Sequence, residues 1–171
     1  MKPELIIAVC ALVVSVISLG FTLWAQFAQR KHMRLSVRPV AAIPVADFED
    51  RVAVWFANKG LGPMRIRILT VRDAAGTVHS DLLSHMPSLP PEVEWTNFHG
   101  RVDGAFLQAG KRLDLLLLEG DPGNHAFSDA RNSIRKALSN LTVHVEYEDF
   151  YGTVMAPEEK TLSWFGRHYE D

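Results

Sequence analysis

The first strong pattern along the chain is an apolar run. Residues 5–29 contain no Asp, Glu, Lys or Arg, and most of them are Leu, Ile, Val, Phe, Ala or Trp. About 20 apolar residues in a helix match the roughly 30 Å hydrocarbon core of a bilayer. The run therefore predicts a transmembrane helix at residues 5–29, with residues 1–4 as a short N-terminal flank.

Beyond this run the pattern changes to alternating apolar and polar residues, which is typical of β-strands with one buried face. The main predicted strands lie at residues 34–40, 52–58, 64–72, 93–98, 106–107, 111–119, 141–149 and 160–165. Strands at this spacing, with turn residues between them, favour a mainly β fold for residues 34–171, an antiparallel β-sandwich.

One later segment has helical periodicity instead. Its apolar positions share one helical face and are Phe127, Ala130, Ile134, Ala137 and Leu138. Arg131, Arg135 and Lys136 should take the opposite face. With Asn124 as the N-cap residue, the pattern predicts one packed α-helix at about residues 125–138.

The first three strands are predicted to form a meander. Residues 58–63 read Asn-Lys-Gly-Leu-Gly-Pro, a composition that favours a tight turn between antiparallel strands. In the strand that follows, alternation predicts that Met64, Ile66 and Ile68 face the core while the arginines between them face solvent.

Two segments resemble a pattern found in many small bacterial proteins in which a single span carries an immunoglobulin-like β-sandwich. They are the turn at residues 58–63 with its flanking strands, and residues 147–152, Tyr-Glu-Asp-Phe-Tyr-Gly. The two segments cover roughly a fifth of the chain, judged from typical strand lengths. Met64 departs from the small residue usual after the proline. The resemblance implies fold and topology only. For the location, we expect a bacterial inner membrane.

Within the apolar run, small or weakly polar residues recur at spacings of 3 and 4, which places them on one stripe of a helix. This helix-packing seam consists of Ala8, Ala11, Ser15, Ser18, Thr22 and Ala25. Small residues let helix backbones approach closely in lipid. The seam predicts a helix partner or a homo-oligomer; the alternative is chance, because small residues are common in such helices.

The flanks of the run indicate an orientation. The C-terminal flank, predicted as a basic juxtamembrane linker at residues 30–33, is the more basic one, with Arg30, Lys31 and Arg34, against Lys2 offset by Glu4. Because the more basic flank tends to remain in the cytoplasm, we expect the β domain to be cytoplasmic. A cleaved signal peptide is the alternative, although the run is longer than the usual 7–15 residues.

The amino-acid composition limits the kinds of functional site that the β domain can contain. The chain has 171 residues, a net charge of -2 and one cysteine, Cys10, which lies in the apolar run. The β domain therefore has no disulfide, thiolate nucleophile or cysteine metal site. The balanced charge gives no general attraction to nucleic acid.

The best candidate for metal chemistry is the alternating set His144, Glu146 and Glu148, which share one face of a predicted strand. An imidazole and two carboxylates are suitable ligands for a divalent cation. The alternative is a solvated outer face, which is the usual state of the polar side of such a strand. We therefore expect no metal or other cofactor at this position.

Three functions follow from these patterns. The leading hypothesis is a non-enzymatic, membrane-anchored interaction domain that contacts a protein partner through a sheet edge or the loop at residues 87–104. The second is an extracytoplasmic ligand-binding or sensory module, which requires the opposite topology. The third is a metal-dependent enzyme that uses the His/Glu/Glu strand face.

Overall fold

The computed structural model describes residues 3–167. Six side chains within the first helix lie outside this description, namely those of Leu5, Ala8, Val9, Lys31, Arg34 and Leu35. The chain divides into two compact units, Met1–Val37 and Arg38–Asp171.

The first unit is a single helix, α1 (Pro3–Ser36). Its 34 residues correspond to a length of about 50 Å at 1.5 Å per residue. The segment Cys10–Arg30 is long and apolar enough to cross a membrane. No other helix among the described residues meets both conditions. A membrane anchor and a signal sequence both have these properties.

The helix continues through residues 30–36, so the strand predicted at residues 34–40 is wrong, and no break in helical structure separates the predicted linker from the anchor. Arg, Lys, Met and Leu are good helix formers. The chain offers no helix-breaking residue after Gln29 until Pro39, so nothing in the sequence ends the helix earlier.

Within residues 38–167, the second unit contains ten strands and a second helix. The strands are β1 (Ala41–Ala42), β2 (Val45–Phe48), β3 (Arg51–Asn58), β4 (Met64–Arg72), β5 (Val78–His79), β6 (Asn97–Phe98), β7 (Phe106–Leu107), β8 (Arg112–Glu119), β9 (Thr142–Asp149) and β10 (Glu158–Thr161). The second helix is α2 (His125–Leu138), and two short 3-10 helices span Leu83–His85 and Ser163–Gly166.

The strands form two antiparallel sheets, which we term sheet I and sheet II. Sheet I has the order β1-β3-β8-β6, with β2 also paired to β3. Sheet II has the order β10-β9-β4-β5, with β7 also paired to β4. One apolar face of each sheet contributes to a single core, which contains Val54 and Phe56 of sheet I, Ile66 and Val145 of sheet II, and Ile134 of α2. The mainly β prediction with one packed helix is confirmed at this level.

The turn at residues 58–63 joins the two sheets, so the predicted meander of the first three strands is wrong. β3 belongs to sheet I and β4 to sheet II. The buried Asn58 amide holds the crossing: its Nδ2 donates to the carbonyls of Gly62 at 2.7 Å and Leu107 at 3.2 Å. Its Oδ1 accepts the backbone N–H of Gly60 at 3.0 Å. These hydrogen bonds of the Asn58 side chain stabilise the crossing, where a hairpin would have hydrogen bonds between the backbones of its two strands.

Two β-bulges change the predicted faces. In β4 the register shifts at Arg67, so Ile68 is 44% exposed, although alternation predicted it in the core, and Leu69 is buried instead. In β8 the shift leaves Leu115 without a directly paired residue on β3, and both Leu115 and Leu116 are buried. Simple alternation fails at such positions because a bulge adds one residue to one strand.

α2 begins and ends where periodicity predicted it. The Asn124 side chain accepts the backbone N–H of Ala126 at 2.9 Å, as expected for an N-cap. Arg131 and Arg135 do not lie opposite the apolar face as predicted but border it, and both contact the segment that contains Asp47.

Two predicted strands are shorter than expected. In residues 93–98 only β6 is a strand, because the Val93 N–H bonds to the Pro90 carbonyl in a turn. The strand predicted at residues 160–165 gives way to a 3-10 helix after β10. Leu162 and Phe165 are both buried, and their spacing of three suits a 3-10 helix better than a strand.

Candidate functional site

An open groove, which we term the apolar groove, lies between the 3-10 helix Leu83–His85 and β6. Its volume is about 580 Å³. The lining residues are Leu83, Met86, Pro87, Ser88, Leu89, Val93, Glu94, Trp95 and Phe98. All of them are apolar except Ser88 and Glu94, so the surface of the groove is mainly aliphatic and aromatic.

The floor of the groove is continuous with the hydrophobic core. Val93 is 8% exposed and belongs to the core. Leu83, Leu89 and Trp95 are partly buried and pack against it. Phe98 at the mouth is 44% exposed. The floor is therefore fixed by core packing, while the mouth leaves apolar surface in water, which is the condition that favours association.

The first wall is fixed to sheet II. Asp81 Oδ1 accepts the backbone N–H of Ser84 at 2.7 Å, which starts the short 3-10 helix. The buried Leu82 holds this helix against the core. A ring nitrogen of His85 lies 3.3 Å from the carbonyl oxygen of Val71 in β4.

The second wall is fixed to β8 of sheet I. The Thr96 N–H donates to the Leu117 carbonyl at 3.1 Å, and the Thr96 hydroxyl accepts the Glu119 N–H at 2.8 Å. After β6, His99 Nδ1 lies 2.8 Å from the Asp114 carbonyl. Each wall is therefore held by its own hydrogen bonds to a different sheet, so the fold of the domain determines the shape of the groove.

The chemistry of the groove favours binding over catalysis. Glu94 is the only lining residue with an ionisable side chain, so the lining offers no acid–base pair and no activated nucleophile. Among the described strands, β6 pairs only with β8. A free strand edge beside an apolar groove is the arrangement used to bind an extended peptide by strand addition.

The sequence-predicted metal candidates lie together on the outer face of sheet II, but other charges hold them. Glu148 contacts Arg65 at 3.3 Å and Arg67 at 3.9 Å. Glu146 Oε2 is 4.0 Å from Arg67 Nη1. His144 Nδ1 is 3.3 Å from Glu159 Oε2. No group of three or more His, Cys, Asp or Glu side chains within residues 3–167 is arranged to hold a metal ion.

Four aromatic residues of the β domain lie in different surroundings. Trp95 and Phe98 line the apolar groove. Trp55 lies on the outer face of sheet I, with the Arg112 guanidinium 5.2 Å from its ring centre. Tyr151 lies in the turn after β9. Only the first two therefore contribute to the groove.

The described seam residues are all exposed on α1: Ala11, Ser15, Ser18, Thr22 and Ala25. The Ser15 hydroxyl donates to the Ala11 carbonyl and the Thr22 hydroxyl to the Ser18 carbonyl, both at 2.8 Å. These donors are used within the helix, so the seam offers close packing more than hydroxyl donation.

Two groups of predicted residues fall partly outside the described side chains. Ala8 of the seam, and Lys31 and Arg34 of the basic flank, lie within α1, but their side chains are outside the description. Arg30 is exposed at the end of the apolar segment.

Sequence reasoning missed a cluster around Asp47, where Arg131, Arg135 and Arg167 converge. The available signal was the spacing of Arg131 and Arg135, which are four residues apart and border the apolar face of α2. It also missed Leu83 and Met86 in the groove, because a single 3-10 turn is too short to give a periodic signal.

Among the described residues, one carboxyl group has a clearly shifted pKa. The backbone N–H of Thr77 donates to Asp73 and lowers the pKa of this carboxyl below its usual value of 3.8. Asp73 lies in the β4–β5 turn, outside the apolar groove.

The chain matches no known protein-family model, and no curated protein matches its sequence. A functional assignment therefore depends on the geometry of the molecule itself.

Proposed function

We propose that the protein is a single-pass membrane protein whose β domain is a non-enzymatic interaction domain. The domain binds an extended, apolar segment of a protein partner in the apolar groove. The observation that carries this proposal is the open groove of about 580 Å³, lined by apolar side chains and bordered by a strand edge.

The groove supports a peptide ligand because its two features serve different purposes. The edge of β6 offers backbone hydrogen bonds, which any extended peptide can accept or donate. The pockets around Leu89 and Trp95 offer apolar contact, which selects the side chains of the ligand. Aromatic residues such as Trp95 often dominate the binding energy of such surfaces.

The strand order supports an immunoglobulin-like fold. Such domains place strands A, B, E and D in one sheet and C′, C, F and G in the other. If β1, β3, β4, β5, β6, β8, β9 and β10 are labelled A, B, C, C′, D, E, F and G, sheet I reads A-B-E-D and sheet II reads C′-C-F-G. β2 and β7 are additions to this arrangement.

The helix α1 supports membrane anchoring, and the basic flank supports a cytoplasmic position of the β domain in a bacterial inner membrane. A reporter enzyme fused after residue 171 tests this position. A reporter that is active only in the cytoplasm should be active in the fusion. Activity of a periplasm-dependent reporter instead would favour the extracytoplasmic sensory alternative.

The exposed seam supports pairing of α1 with another helix. Replacing Ala11 and Ser15 with Leu fills the stripe and should reduce self-association of the chain in membranes. Energy transfer between labelled copies in vesicles measures this. Replacing Val13 and Ile17 with Leu, off the seam, is the matched control. Equal association of all three chains would remove self-pairing from the proposal.

The groove itself is tested by crosslinking in native membranes. A photoreactive amino acid at Leu89 places the probe in the groove, and one at Thr70, on the outer face of sheet II, is the control. We expect a discrete protein adduct from position 89 and none from position 70. No adduct at position 89, or the same adducts at both positions, would contradict the proposal.

A further inference from the structure

A second cavity, of about 480 Å³, lies beside α2 and differs from the apolar groove in its charge. We term it the arginine cavity. It is lined by Asp47, Phe48, Glu49, Arg131, Arg135 and Arg167. Three guanidinium groups therefore surround it, and two carboxylates, those of Asp47 and Glu49, leave one net positive charge.

Asp47 orders two of the three arginines. Its side chain is fully buried, and its Oδ1 accepts a hydrogen bond from Arg135 Nε at 2.6 Å. Its Oδ2 lies 2.8 Å from Arg167 Nη2 as an ion pair, although no hydrogen bond to this oxygen is aligned. Because these contacts hold the guanidinium groups in place, little side-chain freedom would be lost when an anion binds them.

Arg131 is different because its partner is not a carboxylate. Its Nη1 donates to the backbone carbonyl of Glu49. Its Nε is buried and has no hydrogen-bond acceptor among residues 3–167. Because no carboxylate pairs with Arg131 among the described contacts, its guanidinium keeps a positive charge that an anion in the cavity could neutralise with charge-assisted hydrogen bonds. The carboxylate of Glu49 is at the exposed rim.

We propose that the arginine cavity binds a phosphate group, either as free phosphate or as the phosphomonoester of a larger ligand. Guanidinium groups match the geometry of phosphate oxygens through paired N–H donors. Arg131 would provide the main contact, while Arg135 and Arg167, fixed by Asp47, would line the site. This site is separate from the apolar groove, so its failure would leave the proposed function untouched.

The test uses the full chain in uncharged detergent micelles. Thermal unfolding is followed with increasing inorganic phosphate, and sodium chloride at the same ionic strength is the comparison. We expect a saturable rise in Tm with phosphate only. Arg131→Met should weaken the apparent affinity roughly tenfold or more, as expected for loss of a charge-assisted contact. Lys136→Met removes an exposed charge from the same helix and should not change the response.

Further measurements distinguish a lipid headgroup from a soluble phosphate as the ligand, and two results would overturn the proposal. If nanodiscs that contain phosphatidic acid raise Tm without free phosphate, and Arg131→Met abolishes the rise, the ligand is a lipid headgroup. If only free phosphate acts, the ligand is soluble. Arg131→Lys keeps the charge and serves as a second variant if Arg131→Met unfolds. Equal responses to chloride and phosphate, or equal responses of the wild-type and both Arg131 variants, would overturn the proposal.

Discussion

The apolar groove and the outer face of sheet II are both exposed, but they differ in how their groups are satisfied. On the outer face, the charged side chains pair with one another, as in the contacts of Glu148 with Arg65 and Arg67. In the groove, Phe98 remains 44% exposed at the mouth. The charged groups of the outer face therefore have partners within the domain, whereas the apolar side chains of the groove line an open concave surface.

The comparison shows that side chains of reactive type can have charged partners within the fold. The residue types of His144, Glu146 and Glu148 suit a metal ion, and in the fold these side chains are part of an ion-paired surface. The groove contains almost no reactive chemistry. The groove is a candidate binding site because its exposed apolar area lies next to a strand edge, and this arrangement depends on shape and not on reactive groups.

The largest effect is expected where the chain crosses between the two sheets, because damage there disturbs both surfaces. At Gly60 a Cβ atom would lie 2.4 Å from the Arg38 carbonyl oxygen and 2.5 Å from the Val40 nitrogen. Gly60→Ala should therefore lower the free energy of unfolding by about 2–3 kcal/mol, as overpacking does. Urea unfolding of the full chain in detergent, followed by near-ultraviolet circular dichroism, measures this loss.

Gly100→Ala is the matched control, since a Cβ atom at Gly100 has no atom within 4 Å. Its free energy of unfolding should change by less than about 1 kcal/mol. Equal losses of stability in both variants would show that the close approach of the backbone to Gly60 is not the cause of the loss.

A smaller effect is expected from breaking the charge pairs of the outer face. Glu148→Gln removes the carboxylate that two arginines share, but this pair is partly solvated, with Arg65 50% exposed. The free energy of unfolding should fall by about 1 kcal/mol or less, and the loss should shrink at high salt. Glu159→Gln, whose side chain is 58% exposed, should have the smaller effect of the two. A loss from Glu148→Gln that does not change with salt would argue against an ion-paired surface.

A still smaller effect is expected at the β4–β5 turn. The Thr77 N–H lowers the pKa of Asp73 below 3.8, so the ionised form is favoured in the folded state. This contribution to stability is present above the unfolded pKa and is lost as pH falls through the folded pKa. The Tm of Asp73→Asn should therefore approach that of the wild-type chain between pH 4 and pH 2. Parallel curves over this range would contradict the assignment.

No effect on metal content is expected from the candidate ligands. The chain with His144, Glu146 and Glu148 all replaced by Ala should purify with the same metal content as the wild-type chain, because arginines and Glu159 already contact these groups. Elemental analysis of both proteins measures this. A metal bound stoichiometrically to the wild-type chain and lost from the variant would revive the enzymatic hypothesis.

Much of the fold could be predicted from local pattern, because the determinants were local. The α2 boundaries followed from periodicity and the Asn124 cap. β4 occupies the predicted residues, but its faces could not be predicted beyond Arg67, where pairing with β9 introduces a bulge. The end of α1 was missed because residues 34–36 fit either a strand or a helix, and continuity with the preceding helix decided the outcome.

The site was less predictable because it is formed by contacts between distant segments. The suggested contact loop, residues 87–104, includes Trp95 and Phe98, but Leu83 on the opposite wall lies outside it. The Asp47 cluster joins β2, α2 and the segment after the last 3-10 helix, and no local pattern indicates such a meeting. Whether a partner occupies the groove remains a prediction.

The central claim, that the apolar groove binds a partner, is tested most directly by a pair of identical substitutions. Phe98 and Phe106 are exposed phenylalanines in two-residue strands, β6 at the groove and β7 in sheet II, and are 44% and 67% exposed. With the crosslinker at position 89, Phe98→Asp should reduce the yield of the adduct roughly tenfold, the effect of losing an interface anchor. Phe106→Asp should leave the yield unchanged. Equal yields from both variants would contradict the claim.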